Sequence, residues 1–235
     1  MTKISLRPNT IDEVAFRSVV EKNEYRIPEK LQPEDRIIDI GAHIGCFSYL
    51  CWQRGARKIE AFEANLENAE LAQKNLVSTN VVIHSKAVWR SDNKQGAELY
   101  HSGYTKMLPD GPDPVGINTA SGNIFASIGQ PVTVVALDDI IGDSTVKILK
   151  IDCEGSEFPI LLTSKRLRQV CCFVGEYHLM DSIPSAAQVE GFEKYTVGTL
   201  ADLFISHRFR VEFIPYPDAR FSNVGNFFAY NLDLN

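Results

Sequence analysis

Arg36-Ile-Ile-Asp-Ile-Gly-Ala-His-Ile-Gly45 decides the fold of this 235-residue chain. Ile37, Ile38 and Ile40 form an apolar run of the kind that becomes a parallel strand covered on both faces, with Asp39 set into it. Gly41 and Gly45 let the backbone turn sharply into a helix, whose first amides face whatever ligand the turn holds. The order of the glycines separates two ligand classes. A dinucleotide turn requires G-x-G-x-x-G, its middle glycine admitting the pyrophosphate, and His43 stands at that position here. The spacing Asp39-x-Gly41-x-x-x-Gly45 therefore points to S-adenosylmethionine, the bland alternative being an ordinary strand-turn-helix with a glycine-rich bend.

Working outward, the next apolar strand, Lys58-Ile-Glu-Ala-Phe-Glu63, ends in an acid eighteen residues beyond Gly45. That spacing is one strand-turn-helix-strand unit, and it places Glu63 where a carboxylate can accept from both ribose hydroxyls. Asn65 is the expected N-cap of a helix through Leu66, Ala69, Leu71, Ala72 and Leu76. Val81 to His84 begins a third strand.

Composition narrows the function classes. Thirty acids against 24 bases leave a net charge of −6 and no basic footprint for a nucleic acid. No apolar run approaches the ~20 residues that span a bilayer, and Met1 to Arg7 does not read as a signal peptide, so a soluble cytoplasmic protein is expected. The five cysteines form no C-x-x-C pair and read as reduced, buried thiols rather than as a zinc site.

Upstream of the first strand, residues 1–35 form a lead-in, in which Thr10-Ile-Asp-Glu13 predicts a capping box and a helix to about Glu24. Residues 36–235 then form one α/β domain. Within it, from about 91 to 130, glycine, proline, serine, asparagine and aspartate replace periodic sequence, with a short strand near Ala97 to Tyr100. This stretch reads as an insertion over the substrate site, the alternative being a disordered surface loop. Val132 to Leu137 is the next expected strand, Leu137 to Ile140 a turn, and Val146 to Ile151 a further strand.

That last strand delivers Asp152-Cys-Glu-Gly-Ser-Glu157 to the carboxyl edge of the sheet, where open α/β folds bind ligands. Folding alone does not require three acids there. Val170 to Val174 forms the adjacent strand and ends in Gly175-Glu-Tyr-His178. Two neighbouring strands thus aim Asp152, Glu154, Glu176 and His178 at one crevice. A helix at Thr199–Arg208 and strands at Arg210–Ile214 and Asn226–Asn231 complete the chain, the last two as an antiparallel hairpin.

The motifs Ile38-Asp-Ile-Gly-Ala-His-Ile-Gly45, Glu60-Ala-Phe-Glu-Ala-Asn65, Lys86-Ala-Val88, Val134-Val-Ala-Leu-Asp-Asp-Ile140 and Leu149-Lys-Ile-Asp-Cys-Glu-Gly-Ser-Glu157 resemble the FkbM family of S-adenosylmethionine-dependent methyltransferases. The likeness runs from about Leu31 to Glu176. It implies a class I, Rossmann-like fold: a seven-stranded sheet ordered 3-2-1-4-5-7-6 with helices on both faces and the terminal strand antiparallel. It also implies O-methylation of a hydroxyl on a sugar, polyketide or similar small metabolite. Cofactor contact carries over to Asp39, Gly41, Ala42, His43, Gly45, Glu63, Ala64, Asn65, Ala87 and Asp152. His43 departs from the family, which more often has asparagine there.

A methyl donor that is already activated leaves the protein to align the acceptor and remove its proton. His178 is the first candidate for the base, since its reference pKa of about 6.5 allows proton uptake near neutrality. Glu176 would orient His178 or bind a substrate hydroxyl, and Asp152 lies where methyl and acceptor meet. As an alternative, Asp152, Glu154 and Glu176 would hold a divalent cation that acidifies the acceptor. Two rival functions stand beside the transferase: a non-catalytic S-adenosylmethionine-binding module and a nicotinamide-dependent oxidoreductase. His84, His101 and His207 are assigned no role, and Trp52 and Trp89 read as packing.

Overall fold

Ile37 and Ile38 are both fully buried although neighbouring strand residues point to opposite faces, so the sheet they belong to is covered on both sides. The computed structural model describes residues 4–92, 99–106 and 116–234. Seven strands form the central sheet: β1 Arg36–Ile40, β2 Lys58–Phe62, β3 Val82–His84, β4 Val146–Ile151, β5 Val170–His178, β6 Phe209–Pro215 and β7 Val224–Asn231. Their order across the sheet is 3-2-1-4-5-7-6. β7 runs antiparallel to β5 and β6, and β1 to β5 pair in parallel.

One core lies on each face. Ile38, Ile40, Leu149, Ile151 and Phe173 pack with Leu200, Phe204 and Phe209 on one side. Ile37, Ile148, Val174 and Phe228 pack on the other with Phe47, Leu50, Tyr25 and Leu31, so the lead-in is part of the second core. Its residues are held by burial of apolar area, worth about 25 cal/mol per Å².

The helices are α1 Asp12–Phe16, α2 Cys46–Gln53, α3 Leu66–Asn75, α4 Leu137–Ile141, α5 Glu157–Thr163 and α6 Val197–Ser206. Gly45 caps α2 at φ +90°, and the Asn65 side chain accepts from the Asn68 amide at 3.0 Å, as its sequence position predicts. Thr196 and Thr199 close a reciprocal capping box on α6.

Several expectations need correction. Thr10 and Glu13 make no capping box: the Thr10 hydroxyl donates to Arg7 O, Glu13 pairs with Arg17, and α1 passes into a π-helical turn at Arg17–Glu21. Thr10 Oγ1 accepts instead from the Asp12 amide at 3.2 Å, and the fully buried Asp12 carboxylate turns back to Arg7. Residues 137–140 are helical, since Leu137, Ile140 and Ile141 make a buried stripe at helical spacing. Val134–Ala136 stays outside the main sheet and pairs in parallel with Ala87–Trp89. β5 continues without a break through Gly175 to His178.

Of the expected strand near Ala97 to Tyr100, residues 97 and 98 lie outside the described residues, and Tyr100–His101 pairs with Gln130–Pro131. All five cysteines are free, Cys46 and Cys51 buried and Cys153, Cys171 and Cys172 partly so. Among the described residues, no helix is long and apolar enough to cross a membrane.

Candidate active site

The cleft opens at the carboxyl edge of β1, β2 and β4. Gly41, at φ +74°, passes so close to β4 that a Cβ there would lie 1.8 Å from Asp152 O. Only glycine fits that turn. His43 follows at φ +51°, and its amide donates to Glu63 Oε2 at 2.7 Å while the Asn65 amide donates to Oε1 at 2.9 Å. The two loops are thereby clamped by one carboxylate. Burial pushes the Glu63 pKa up, against the opposing pull of the Asn65 amide and His43. Each Glu63 oxygen holds one amide and keeps a second lone pair for a ligand in the cleft that it lines.

Of the predicted cofactor residues, Gly41, His43, Glu63, Ala64, Ala87 and Asp152 line one cleft. Asp39, Ala42, Gly45 and Asn65 sit behind it as supports. Asp39 is fully buried and accepts from Ser48 Oγ at 2.8 Å. Ala42 accepts from the Gly45 amide, and a Cβ on Gly45 would approach Leu76 to 2.8 Å.

The far wall comes from the insertion. Thr119, Gly122, Ile124 and His101 line the cleft together with Phe62, Glu63, Ala64 and Ala87. The described part of the insertion therefore lines the Glu63 and Ala87 half of the cleft. His101, given no role from sequence, is a wall of this half; burial holds its pKa down, and its Nδ1 accepts from the Gly103 amide at 3.0 Å. Its place depends on pairing between distant short strands, for which the sequence carries no signal.

A polar network ties the insertion to the lead-in. Asp12 accepts a two-point bond from Arg7, and Thr119 Oγ1 donates to Asp12 Oδ1 at 2.9 Å. His43 Nε2 lies 2.8 Å from Thr119 Oγ1 and 3.3 Å from Asp12 Oδ1. Burial alone would raise the Asp12 pKa, but His43 and Arg7 hold it far below the usual carboxylate range.

At the other end, register places β5 beside β4 so that Ile151 faces Gly175. The next residues, Asp152 and Glu176, meet at the carboxyl edge. Lys150, 4% exposed, lies beneath them: its Nζ donates to Ile40 O and Gly41 O, 3.5 Å from Asp39 Oδ1 and 3.6 Å from Asp152 Oδ2. Burial opposes its charge, but Asp152 and Asp39 outweigh this and raise its pKa. The residue escaped the sequence reading because a lysine within a strand carries no sign of which carbonyls it will meet.

Tyr25 donates to Asp152 Oδ2 at 3.1 Å, and the Tyr216 hydroxyl donates to Glu176 Oε1. Burial lifts Glu176 to about 8 with Asp152 adding to the push, and lifts Glu154 and Glu24 to about 7. His178 joins this group through Nε2, 3.5 Å from Glu154 Oε2 and 3.7 Å from Glu176 Oε2. Its Nδ1 lies 3.1 Å from Glu157 Oε1. Burial would lower the His178 pKa, yet Glu157 and then Glu154 raise it well above the ordinary value.

The carboxylate within hydrogen-bond distance of His178 is thus Glu157, while Glu176 stands 3.7 Å from Nε2. Glu157, fully buried, also accepts from the amides of Cys153 and Gly155, so one of the three acids expected to be free of a folding role holds this loop closed. The cation set Asp152, Glu154 and Glu176 is likewise not what comes together: the close group is Asp152, Glu157 and His178, with ligand atoms within 4.8 Å of one another. Two backbone amides and the imidazole already occupy the Glu157 oxygens, which makes this group a hydrogen-bonded pair beside an acid.

A doubly wound sheet with a reversed terminal strand, a glycine turn clamped by an acid and an acid-lined edge on β4 define the methyltransferase class of α/β fold. The profile of the Methyltransferase FkbM domain matches residues 39–210, and the chain belongs to that family. Among solved structures, it is similar to methyltransferase FkbM from Methylobacillus flagellatus KT, with 15% identity and a TM-score of 0.50. The match covers 91% of this chain and 47% of that protein, so this chain spans about half its length. It is also similar to a presumed S-adenosylmethionine-dependent methyltransferase from Listeria monocytogenes, at 10% identity and a TM-score of 0.52, covering 93% of this chain and 99% of the other. Comparison with curated proteins gives no match.

Proposed function

We propose that this protein is an S-adenosylmethionine-dependent O-methyltransferase acting on a hydroxyl of a small metabolite such as a sugar or polyketide. The observation that carries the reading is the single cleft that runs from the Glu63 carboxylate past Gly41 to Asp152 and Glu154. The residues fit the cofactor: a buried carboxylate has lone pairs to spare for two ribose hydroxyls, and a Cβ-free turn is pressed against β4. Ser156, 2% exposed, also lines the cleft with a hydroxyl that has no partner among the described residues. His43, at the point where a pyrophosphate would need glycine, argues against a nicotinamide dinucleotide.

When bound, the cofactor supplies a methyl group already activated on a cationic sulfur. Glu63 would anchor the ribose, and Phe62, Ala64 and Ala87 offer an apolar slot for the base. Asp152 and Glu154 provide negative potential toward a cation, and alignment of the acceptor supplies roughly 7–11 kcal/mol of the barrier reduction. His178, at the carboxyl end of β5, takes the hydroxyl proton. A net charge of −6 and a carboxylate-lined crevice support a small acceptor over a nucleic acid.

Calorimetry with S-adenosylmethionine, S-adenosylhomocysteine and NAD tests the cofactor. Binding of the first two and not the third is expected, and uptake of NAD alone would overturn the reading. Labelled methyl transfer to a panel of hydroxylated sugars and polyketides, with His178→Ala as the control, separates an enzyme from a non-catalytic binder.

A further inference from the structure

His178 has two ring nitrogens, and its chemistry depends on which one is free. Three carboxylates surround the ring, yet only one is within hydrogen-bond distance. Glu157 Oε1 is 3.1 Å from Nδ1, whereas Glu154 and Glu176 stand 3.5 and 3.7 Å from Nε2.

Glu157 is also the one of the three that backbone amides hold in place. Glu154 at φ +53° and Gly155 at φ +100° reverse the chain after β4. The reversal brings Glu157 back over its own loop, where the amides of Cys153 and Gly155 donate to it at 2.8 and 3.0 Å. Backbone donors at fixed positions point the remaining acceptor capacity at the imidazole.

We infer that Glu157 is a positioning residue that keeps the proton of neutral His178 on Nδ1 and thereby makes Nε2 the atom that receives the acceptor's proton. This rests on the transferase reading above and names a residue that it leaves out. In the step, the acceptor oxygen bonds to the methyl carbon as the carbon–sulfur bond breaks, with that bond's electron pair left on sulfur. The hydroxyl proton passes to Nε2. The resulting imidazolium lies between Glu157 on one side and Glu154 and Glu176 on the other, with an Asp152 oxygen also within 4.8 Å. A positive charge thus enters the carboxylate basket as one is lost from sulfur, so the net charge of the site is unchanged by the reaction. The physical logic is that of a carboxylate holding a catalytic histidine in one tautomer, where an amide in its place leaves the wrong nitrogen free at a cost of about 10⁴ in rate.

The test is ¹⁵N spectroscopy of the unliganded protein with labelled histidine, His178 being assigned by comparison with His178→Gln. In the wild type at a pH where the ring is neutral, the proton is expected on Nδ1. In Glu157→Gln the neutral ring should shift toward the Nε2-protonated form. The same variant should lose about 10²-fold or more in kcat. A wild-type ring protonated on Nε2 overturns the inference, and so does a Glu157→Gln protein that keeps both tautomer and kcat. If that variant does not fold, the wild-type tautomer decides. Because the spectra need no cofactor, a protein that binds no S-adenosylmethionine would defeat the transferase reading without touching this result.

Discussion

The amide of His43 donates to Glu63 Oε2 across 2.7 Å, so the turn that closes β1 and the acid that closes β2 form one clamp. One side chain therefore shapes the loop and faces the ligand, and its loss should damage both. Glu63→Ala is expected to weaken S-adenosylmethionine binding by at least about tenfold, since charged hydrogen bonds contribute about 1.5–3 kcal/mol each. Titration calorimetry reads this directly. Unchanged affinity would remove Glu63 from the cofactor site.

Gly41→Ala meets two obstacles together: a φ of +74° and a Cβ 1.8 Å from Asp152 O. The left-handed backbone alone costs about 1–2 kcal/mol for an alanine, and the clash adds to it. At about 2–4 °C per kcal/mol for a chain of this size, Tm should fall by more than about 4 °C, with cofactor affinity lost as well. Differential scanning calorimetry with and without ligand checks both.

Asp12→Asn leaves the Arg7 guanidinium and the Thr119 hydroxyl without their carboxylate. Removing one partner of a buried pair costs about 3–5 kcal/mol, reduced here because the Arg7 side chain is 24% exposed; about 2 kcal/mol is expected. The folded pKa of Asp12 is depressed, so its stabilisation is present above the unfolded value of about 3.8 and is lost only as pH falls far below it. Chemical denaturation at pH 7 and pH 4.5 should therefore show nearly the same gap between wild type and variant.

His178 must be neutral to accept a proton, and its folded pKa is raised well above 6.5 because Glu157 and Glu154 outweigh burial. Methyl transfer should accordingly rise with pH, through a midpoint above 6.5, and His178→Ala should lose about 10²- to 10⁴-fold in rate. Stability runs the other way. The charged ring contributes fully below its unfolded pKa of about 6.5, and that contribution disappears as pH climbs through the folded value. A pH–rate profile beside denaturation curves at pH 6 and pH 9 shows whether the two trends oppose.

The sequence alone determined the parallel strands β1, β2, β4 and β5, the Gly41 turn, the Asn65 cap and the clamp acid Glu63. All of these follow from local patterns: an apolar run, a glycine where φ is positive, a capping side chain, or an acid one structural unit downstream. It also brought Asp152, Glu154, Glu176 and His178 to one edge, because strand polarity settles where a strand ends.

Tertiary structure decided what those residues do to one another. Glu157 looked like one more edge acid until the Gly155 reversal turned it onto His178, and Lys150 looked like a strand lysine until β1 laid the Ile40 and Gly41 carbonyls over its ammonium group. Thr10 and Glu13 had the letters of a capping box, but the buried Arg7–Asp12 pair claimed the first turn. His101 became a cleft wall only through pairing across the insertion. The physical reason is that contacts between segments far apart in the chain compete with local preferences: even the local Arg7–Asp12 pair is buried by Thr119 and His43, which folding brings within reach.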